Sequence, residues 1–281
     1  MIGGRDAYVG LAGGFGTVAM GQLTHPLRAF GAKVDLMPGA AGFGTTASLT
    51  GTVGGIKTGA DDRAANAIAY ISPSFGGFTV IGAYVNGENK NNESVNQRAW
   101  QLAAQYDNGP LFVGAGYHRV VDSSVALTGA APVGGAWAAD ADGKASVLRA
   151  VATYTLPSAT KLTALVDRTK ATTNLDLDAK RTAFSLGVSQ GFGKNTVGLQ
   201  YAQAGSIKLD GDALDGTKAK MWTAMYGYEL SKRTMLHARY SHLANKENVN
   251  NNFYNMAVGN GETSTGGANY SGFSVGVRHT F

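Results

Sequence analysis

A single short unit recurs along nearly the whole chain: about ten residues in which apolar side chains alternate with small or polar ones, then a turn. About thirteen such segments can be marked, at 6–13, 16–23, 66–72, 77–86, 98–107, 110–120, 145–156, 160–172, 180–191, 195–204, 219–230, 234–243 and 271–281. In a strand, successive side chains point to opposite faces, so each segment has two separable faces. One carries Val80 and Tyr84, Trp100, Leu102 and Tyr106, Val113 and Tyr117, Phe184, Leu186 and Val188, Trp222 and Tyr226, and Leu236 and Tyr240. The other carries Thr79, Gln101, Gln105, Thr153, Ser185, Gln200, Thr223, Ser241 and Ser274. Hydroxyls and amides fill a dry core poorly and suit water. One face in lipid and one in water defines an all-β, transmembrane antiparallel β-barrel and argues against a sandwich.

The connections alternate as well. Short turns such as Gly13-Gly14-Phe15-Gly16, Asn108-Gly109-Pro110, Pro157-Ser158-Ala159 and Ser231-Lys232-Arg233 lie between long stretches rich in Gly, Asn, Asp and Ala. Short turns on one side of a membrane and long loops on the other is the outer-membrane arrangement.

Composition removes the main competitors. Charged residues are 15% of the 281, against about a quarter in soluble domains, while the mean hydropathy of −0.09 is far from that of a helical membrane protein. Two uncharged stretches, 7–27 and 64–87, are long enough to cross a bilayer as helices. The first holds five glycines, the second is broken by Pro73 and Gly76-Gly77, and both alternate with period two. The chain has no Cys, which excludes a disulfide framework and thiolate chemistry. Its net charge of +5 comes from singly scattered cations, with no basic run or helical basic face, so nucleic acid is not the expected partner. His25, His118, His237, His242 and His279 lie far apart, without HExxH or GxSxG, and no enzyme, metal site or cofactor is expected. In Tyr240-Ser241-His242 the last two side chains point to opposite faces and cannot form a dyad directly.

Several stretches resemble the general porins of β-proteobacteria and Neisseria. They are Gly4-Arg5-Asp6-Ala7-Tyr8-Val9-Gly10-Leu11-Ala12-Gly13-Gly14-Phe15-Gly16, the run from Asp62-Arg63-Ala64 to Ser72-Pro73-Ser74-Phe75-Gly76-Gly77-Phe78, Tyr228-Glu229-Leu230-Ser231-Lys232-Arg233-Thr234, and the ending Val275-Gly276-Val277-Arg278-His279-Thr280-Phe281. The resemblance implies an outer-membrane, homotrimeric barrel of about sixteen strands, through which small hydrophilic solutes diffuse. It implies that roughly three N-terminal strands and a signal peptide precede what is seen here. The first segment and the one ending at Phe281 are then expected as unpaired edges. Lipid, lipopolysaccharide and the outer-membrane assembly machinery are the implied partners. Phe273, Val275, Val277 and Phe281 resemble the C-terminal assembly signal, although an ordinary edge strand ending in an aromatic reads the same way.

The same resemblance makes the long connection 24–62 the pore-constricting loop, with Asp35, Asp61 and Asp62 set against Arg28, Lys33 and Lys57. Period-two parity puts Arg63, His118, Arg149, Arg181, His237, Arg239 and Arg278 on the lumen face. Cations lining a narrow passage favour anions, which gives an expected weak anion preference. Solubilising arginines near the rims are the alternative for any single position. A structural or adhesive barrel with a plugged lumen is the alternative function.

Overall fold

Alternation resolves into thirteen long strands, numbered here β1 to β13, in a computed structural model that describes residues 5–36, 43–53, 56–87, 97–123, 143–172, 178–254 and 266–280. They are β1 Ala7–Gly13, β2 Gly16–Thr24, β3 Arg63–Ile71, β4 Phe78–Asn86, β5 Arg98–Asn108, β6 Leu111–Ser123 and β7 Gly143–Thr155. They continue with β8 Thr160–Thr172, β9 Asp178–Phe192, β10 Asn195–Ala204, β11 Ala219–Ser231, β12 Thr234–Asn245 and β13 Tyr270–His279. Each pairs antiparallel with its sequence neighbour, from β1 at one end of the path to β13 at the other. Two short strands, Lys208–Leu209 and Asp212–Ala213, bring the sheet to fifteen, and Thr52–Val53 pairs separately with Ile56–Lys57. The marked segments fall on these strands, most within two residues at each end.

The sheet is inside out by the standard of a soluble protein. Leu102 is 62% exposed, Leu148 57%, Leu186 55% and Val275 72%, as part of an unbroken outer band of large apolar side chains. A soluble monomer rarely exposes more than about 300–600 Å² of contiguous apolar surface. Lipid removes the conflict along the wall, because every strand between β1 and β13 is paired on both sides, while β1 and β13 are each paired on one side only, as the sequence reading expects. The opposite face holds Gln101, Thr153, Thr163, Ser185, Gln200, Thr223 and Ser241, all buried.

What buries them is the connection 25–62. Pro26–Val34 is a nine-residue helix, α1, with Pro26 in its first turn and Pro26, Leu27, Phe30, Gly31 and Val34 as its buried face. Proline fits the first helical position because its missing N–H would be unpaired there anyway. The spacing of Leu27, Phe30, Gly31 and Val34 puts them on one side of a 3.6-residue helix. At nine residues α1 is far too short to span a bilayer, and no described helix is long and apolar enough to do so. The sequence reading treats this stretch as loop. The helical pattern is present but covers barely two turns and is diluted by glycine and alanine.

Seven successive strands reach the same connection from their inner faces. Gln101 Oε1 of β5 accepts from Leu27 N, and His118 of β6 bonds Thr58 O. Arg149 of β7 donates to Leu27 O, Asp167 of β8 accepts from Gly51 N, and Arg181 of β9 donates to Leu49 O. Gln200 of β10 donates to Val34 O, and Thr223 of β11 donates to Gly44 O. Inner faces of strands this far apart in the path can meet one segment only if the sheet curls around it.

Candidate functional site

The seam between the inner segment and the wall is built around Arg149, which is fully buried. Its Nη1 lies 2.6 Å from Asp61 Oδ1 and 2.9 Å from Leu27 O, and its Nη2 lies 2.8 Å from both Asp61 Oδ2 and Asp167 Oδ2. Nε adds a second bond to Asp167 Oδ2 at 3.0 Å, and Nη2 also donates to Thr50 Oγ1 at 3.3 Å. Arg149 and Asp167 sit directly opposite each other across the β7–β8 ladder, so the wall aims both at the loop's Asp61. The fork geometry of guanidinium suits this two-carboxylate clamp, which a lysine ammonium would not reproduce. Asp167 also accepts from Thr169 Oγ1 at 2.8 Å, leaving both carboxylates well partnered.

Arg181 makes a second fastening, donating to Leu49 O at 3.0 Å, Thr52 O at 3.1 Å and Asn251 Oδ1 at 3.1 Å. His118 makes a third. Gln101 uses its Oε1 as an acceptor for Leu27 N, so its Nε2 donates to His118 Nδ1 at 2.8 Å. That leaves His118 Nε2–H to donate to Thr58 O at 2.9 Å and fixes a neutral ring. Apolar contacts complete the seat. Phe30 and Val34 pack with Ala103, Phe112, Val151 and Leu165, and the Phe30 and Phe112 rings meet edge-on at 5.9 Å. Gly116 lacks the Cβ that would sit 2.8 Å from Leu27 Cδ1, so the wall can approach α1 closely.

These contacts correct three of the lumen-facing expectations. Arg149, Arg181 and His118 have the inner parity, but each is at most 2% exposed and is spent on fastening the loop rather than facing a passage. Arg63 is corrected differently. Asn66, with φ of 53°, marks a bulge where Gly21 pairs with Ala67 but Leu23 with Ala64. The extra residue resets the alternation, putting Ala64 beside Leu23 on the inner face and pairing Arg63 with Asp6 at 2.9 Å. Asp61 belongs to the clamp, whereas Asp62 accepts from the Tyr254 hydroxyl and Arg28 Nη1 donates to Asp61 O. Asp35 is set below α1, accepting from Thr45 Oγ1 and Thr46 N, and Lys33 lies exposed 3.3 Å from Asp107. His237, Arg239 and Arg278 cluster on the inner face of β12 and β13, away from the clamp. Among the described residues the buried Arg239 has no partner for its Nε and His237 none for its Nδ1, while Arg278 is exposed. Phe273, Val275 and Val277 point outward from β13, while Phe281 lies outside the described residues. Ser241 bonds Thr223 on the inner face and His242 bonds Ser271 on the outer one, so no dyad forms.

The sequence reading missed Asp167, Thr50, Asn251 and Tyr254. Asp167 had a usable signal: it is an acidic residue of inner parity, and the Pro157-Ser158-Ala159 turn sets it opposite Arg149. Tyr254 had none, since it reaches Asp61 O and Asp62 from a connection about 190 residues away.

The titrating groups of the inner segment set a pH prediction. His25 Nδ1 donates to Gly59 O at 2.8 Å, and its buried Nε2 has no partner among the described residues. Burial lowers its pKa from the usual 6.5, against the raising effects of Asp61 and Asp62 and alongside the lowering effect of Arg28. A folded-state value below the unfolded one means the seat is firm above pH 6.5 and loosens as pH falls below it. Current noise in single-channel recordings is therefore expected to rise on acidification below pH 6.5, and His25→Asn should abolish the rise. An equally steep rise in His25→Asn would assign it elsewhere. Burial moves Asp35 and Tyr254 the other way, keeping the Asp35 carboxyl and the Tyr254 phenol protonated to higher pH.

A curled antiparallel wall, apolar outside and polar inside, with a segment seated within it, is the build of an outer-membrane channel. The chain belongs to the Gram-negative porin family, whose model matches residues 3–248. It is 32% identical over 284 residues to outer membrane porin protein 32 of Delftia acidovorans, covering 99% of this chain and 74% of that one. Over 110 residues it is 28% identical to the major outer membrane protein P.IB of Neisseria gonorrhoeae. Among solved structures it superposes on an anion-selective porin from Comamonas acidovorans with a TM-score of 0.76 at 26% identity, covering 99% of this chain and 78% of that one. The trimer form of OmpT from Vibrio cholerae has the same fold, with a TM-score of 0.69 at 16% identity. The protein is thus an outer-membrane porin, a passive water-filled channel and not an enzyme.

Proposed function

We propose that the segment 24–62 is the constriction of this porin and that the channel weakly prefers anions. The observation that carries the reading is the uneven pairing of inner-face charge. Arg149 is neutralised by two carboxylates, whereas among the described residues Arg239 has no hydrogen-bonded acid and Asp35 alone acts on it electrostatically. Arg278 and Arg28 add positive charge, and a cationic lining in a narrow passage raises the local anion concentration. The anion-selective relative from Comamonas supports the same sign.

Reversal potentials in a KCl gradient test it. Arg239→Gln with Arg278→Gln is expected to lower the anion-over-cation permeability ratio by about twofold. An unchanged reversal potential would remove these residues from the permeation path. A homotrimer is part of the proposal, supported by the apolar outer faces of the two ends of the sheet path, Val9 and Leu11 on β1 and Phe273 and Val275 on β13. Cross-linking that yields only monomers in outer membranes would refute it. Outer-leaflet lipopolysaccharide and the assembly machinery are the remaining proposed partners.

A further inference from the structure

Where the inner segment leaves the wall and returns to it, at the long-loop end of β3, β4 and β5, a cavity of about 420 Å³ lies between segment and wall. Its floor is apolar. Val85 of β4 stands opposite Ala99 of β5, and Ala99 opposite Val120 of β6, all on the inner face. Ala64 of β3 adds to the same surface.

The rim is charged, and its charges are nearly balanced. Lys57 and Asp62 come from the inner segment, and Arg63 is the first residue of β3. Arg63 pairs through Nε with Asp6 at 2.9 Å, and its Nη groups have no partner among the described residues. Lys57 lies over the Tyr254 ring, 4.8 Å from its centroid, and forms no ion pair among the described residues. Asp62 takes the Tyr254 hydroxyl on Oδ1, and its Oδ2 has no donor among the described residues. The phenol thus keeps a cation over its face and an anion at its hydroxyl, both lining the cavity. His25, 6% exposed, lines the Asp62 side, its backbone N donating to Asp62 O at 3.3 Å. With Nδ1 donating to Gly59 O, its buried Nε2 is an acceptor that has no partner among the described residues.

With Arg63 offset by Asp6, the rim keeps one unspent cation and one unspent carboxylate. A simple anion or cation satisfies only one of them, and a sugar satisfies neither charge. A solute with both charges on one small apolar body satisfies the rim and covers the floor. We propose that this cavity binds the zwitterion of an α-amino acid with an apolar side chain. Lys57 and the Nη groups of Arg63 take the carboxylate, Asp62 Oδ2 takes the ammonium, and the side chain lies on Val85, Ala99 and Val120. The site is independent of the anion preference, since neither Arg239 nor Arg278 belongs to it.

The test titrates the purified full chain in detergent by calorimetry with L-leucine, isocaproate and isoamylamine. The three share a branched side chain and carry both charges, the carboxylate alone or the ammonium alone. Saturable binding of leucine is expected, with each analogue about tenfold weaker for its missing charged hydrogen bonds. Glycine, with nothing to cover the floor, should also bind about tenfold more weakly. Lys57→Gln should lose most of the preference for leucine over the amine, and Asp62→Asn the preference over the carboxylate. Because Asp62 also holds Tyr254, Tyr254→Phe is the control. It breaks that hydrogen bond but keeps the ring and both charges, and should discriminate as wild type. No saturable leucine binding by wild type, equal binding of leucine and either analogue, or unchanged discrimination in both charge variants would each overturn the site. Discrimination lost in Tyr254→Phe as fully as in Asp62→Asn would make Asp62 a fastening of the segment and overturn its role as a ligand.

Discussion

Arg149→Met is expected to release the inner segment from the wall while leaving the strands paired. The substitution keeps most of the side-chain volume but strands Asp61 and Asp167 at the seam without their shared cation. Removing one partner of a buried ion pair costs about 3–5 kcal/mol because the remaining charge is left uncompensated. Here that cost falls on the attachment of the loop, since Asp61 can escape to water only if the segment lifts away. Single-channel recordings should show larger, noisier openings, and protease should reach the segment in the folded protein. The variant Arg149→Met/Asp61→Asn/Asp167→Asn removes the stranded charges and should recover much of the quiet conductance. A quiet, wild-type channel in Arg149→Met alone would show that the clamp does not hold the constriction.

Phe30→Ala is expected to have a comparable effect through different physics. Phe30 is 1% exposed and fills the pocket formed by Val34, Ala103, Phe112, Val151 and Leu165. Truncating a buried Phe costs about 3–5 kcal/mol in lost burial and residual cavity. The polar clamp stays in place, so α1 should loosen at its middle while its ends remain tied. The expected signature is flicker between two conductance levels, with the thermal unfolding of the sheet nearly unchanged. A small apolar molecule that fills the cavity should suppress the flicker. A thermal transition lowered along with the wall's circular dichroism would instead make Phe30 part of the barrel's own stability.

The wall was almost fully legible because period-two alternation is a local property repeated thirteen times, with turns that punctuate it. Parity even separated Gln101, Arg149, Thr153, Gln200 and Thr223 from their outward neighbours correctly. It failed at Arg63 because a bulge adds one residue, and no single residue type announces a bulge. For Arg149 parity gave the face but not what covers it. Whether an inner arginine meets water or a carboxylate depends on where a segment more than 80 residues away is seated. Helix α1 was hidden by its shortness, and Tyr254 by its distance along the chain.

The seating of the inner segment also orders events in time. Its fastenings join residues separated by 74 positions at Gln101, 88 to 122 at Arg149 and about 130 at Arg181. Chain closures of that span are entropically costly until the intervening strands have paired. The guanidinium of Arg149 also has no dry, two-carboxylate niche to enter before β7 and β8 stand side by side. A newly made chain should therefore complete its ladder first, as a wide and ungated wall, and acquire its narrow waist only in the last step of maturation.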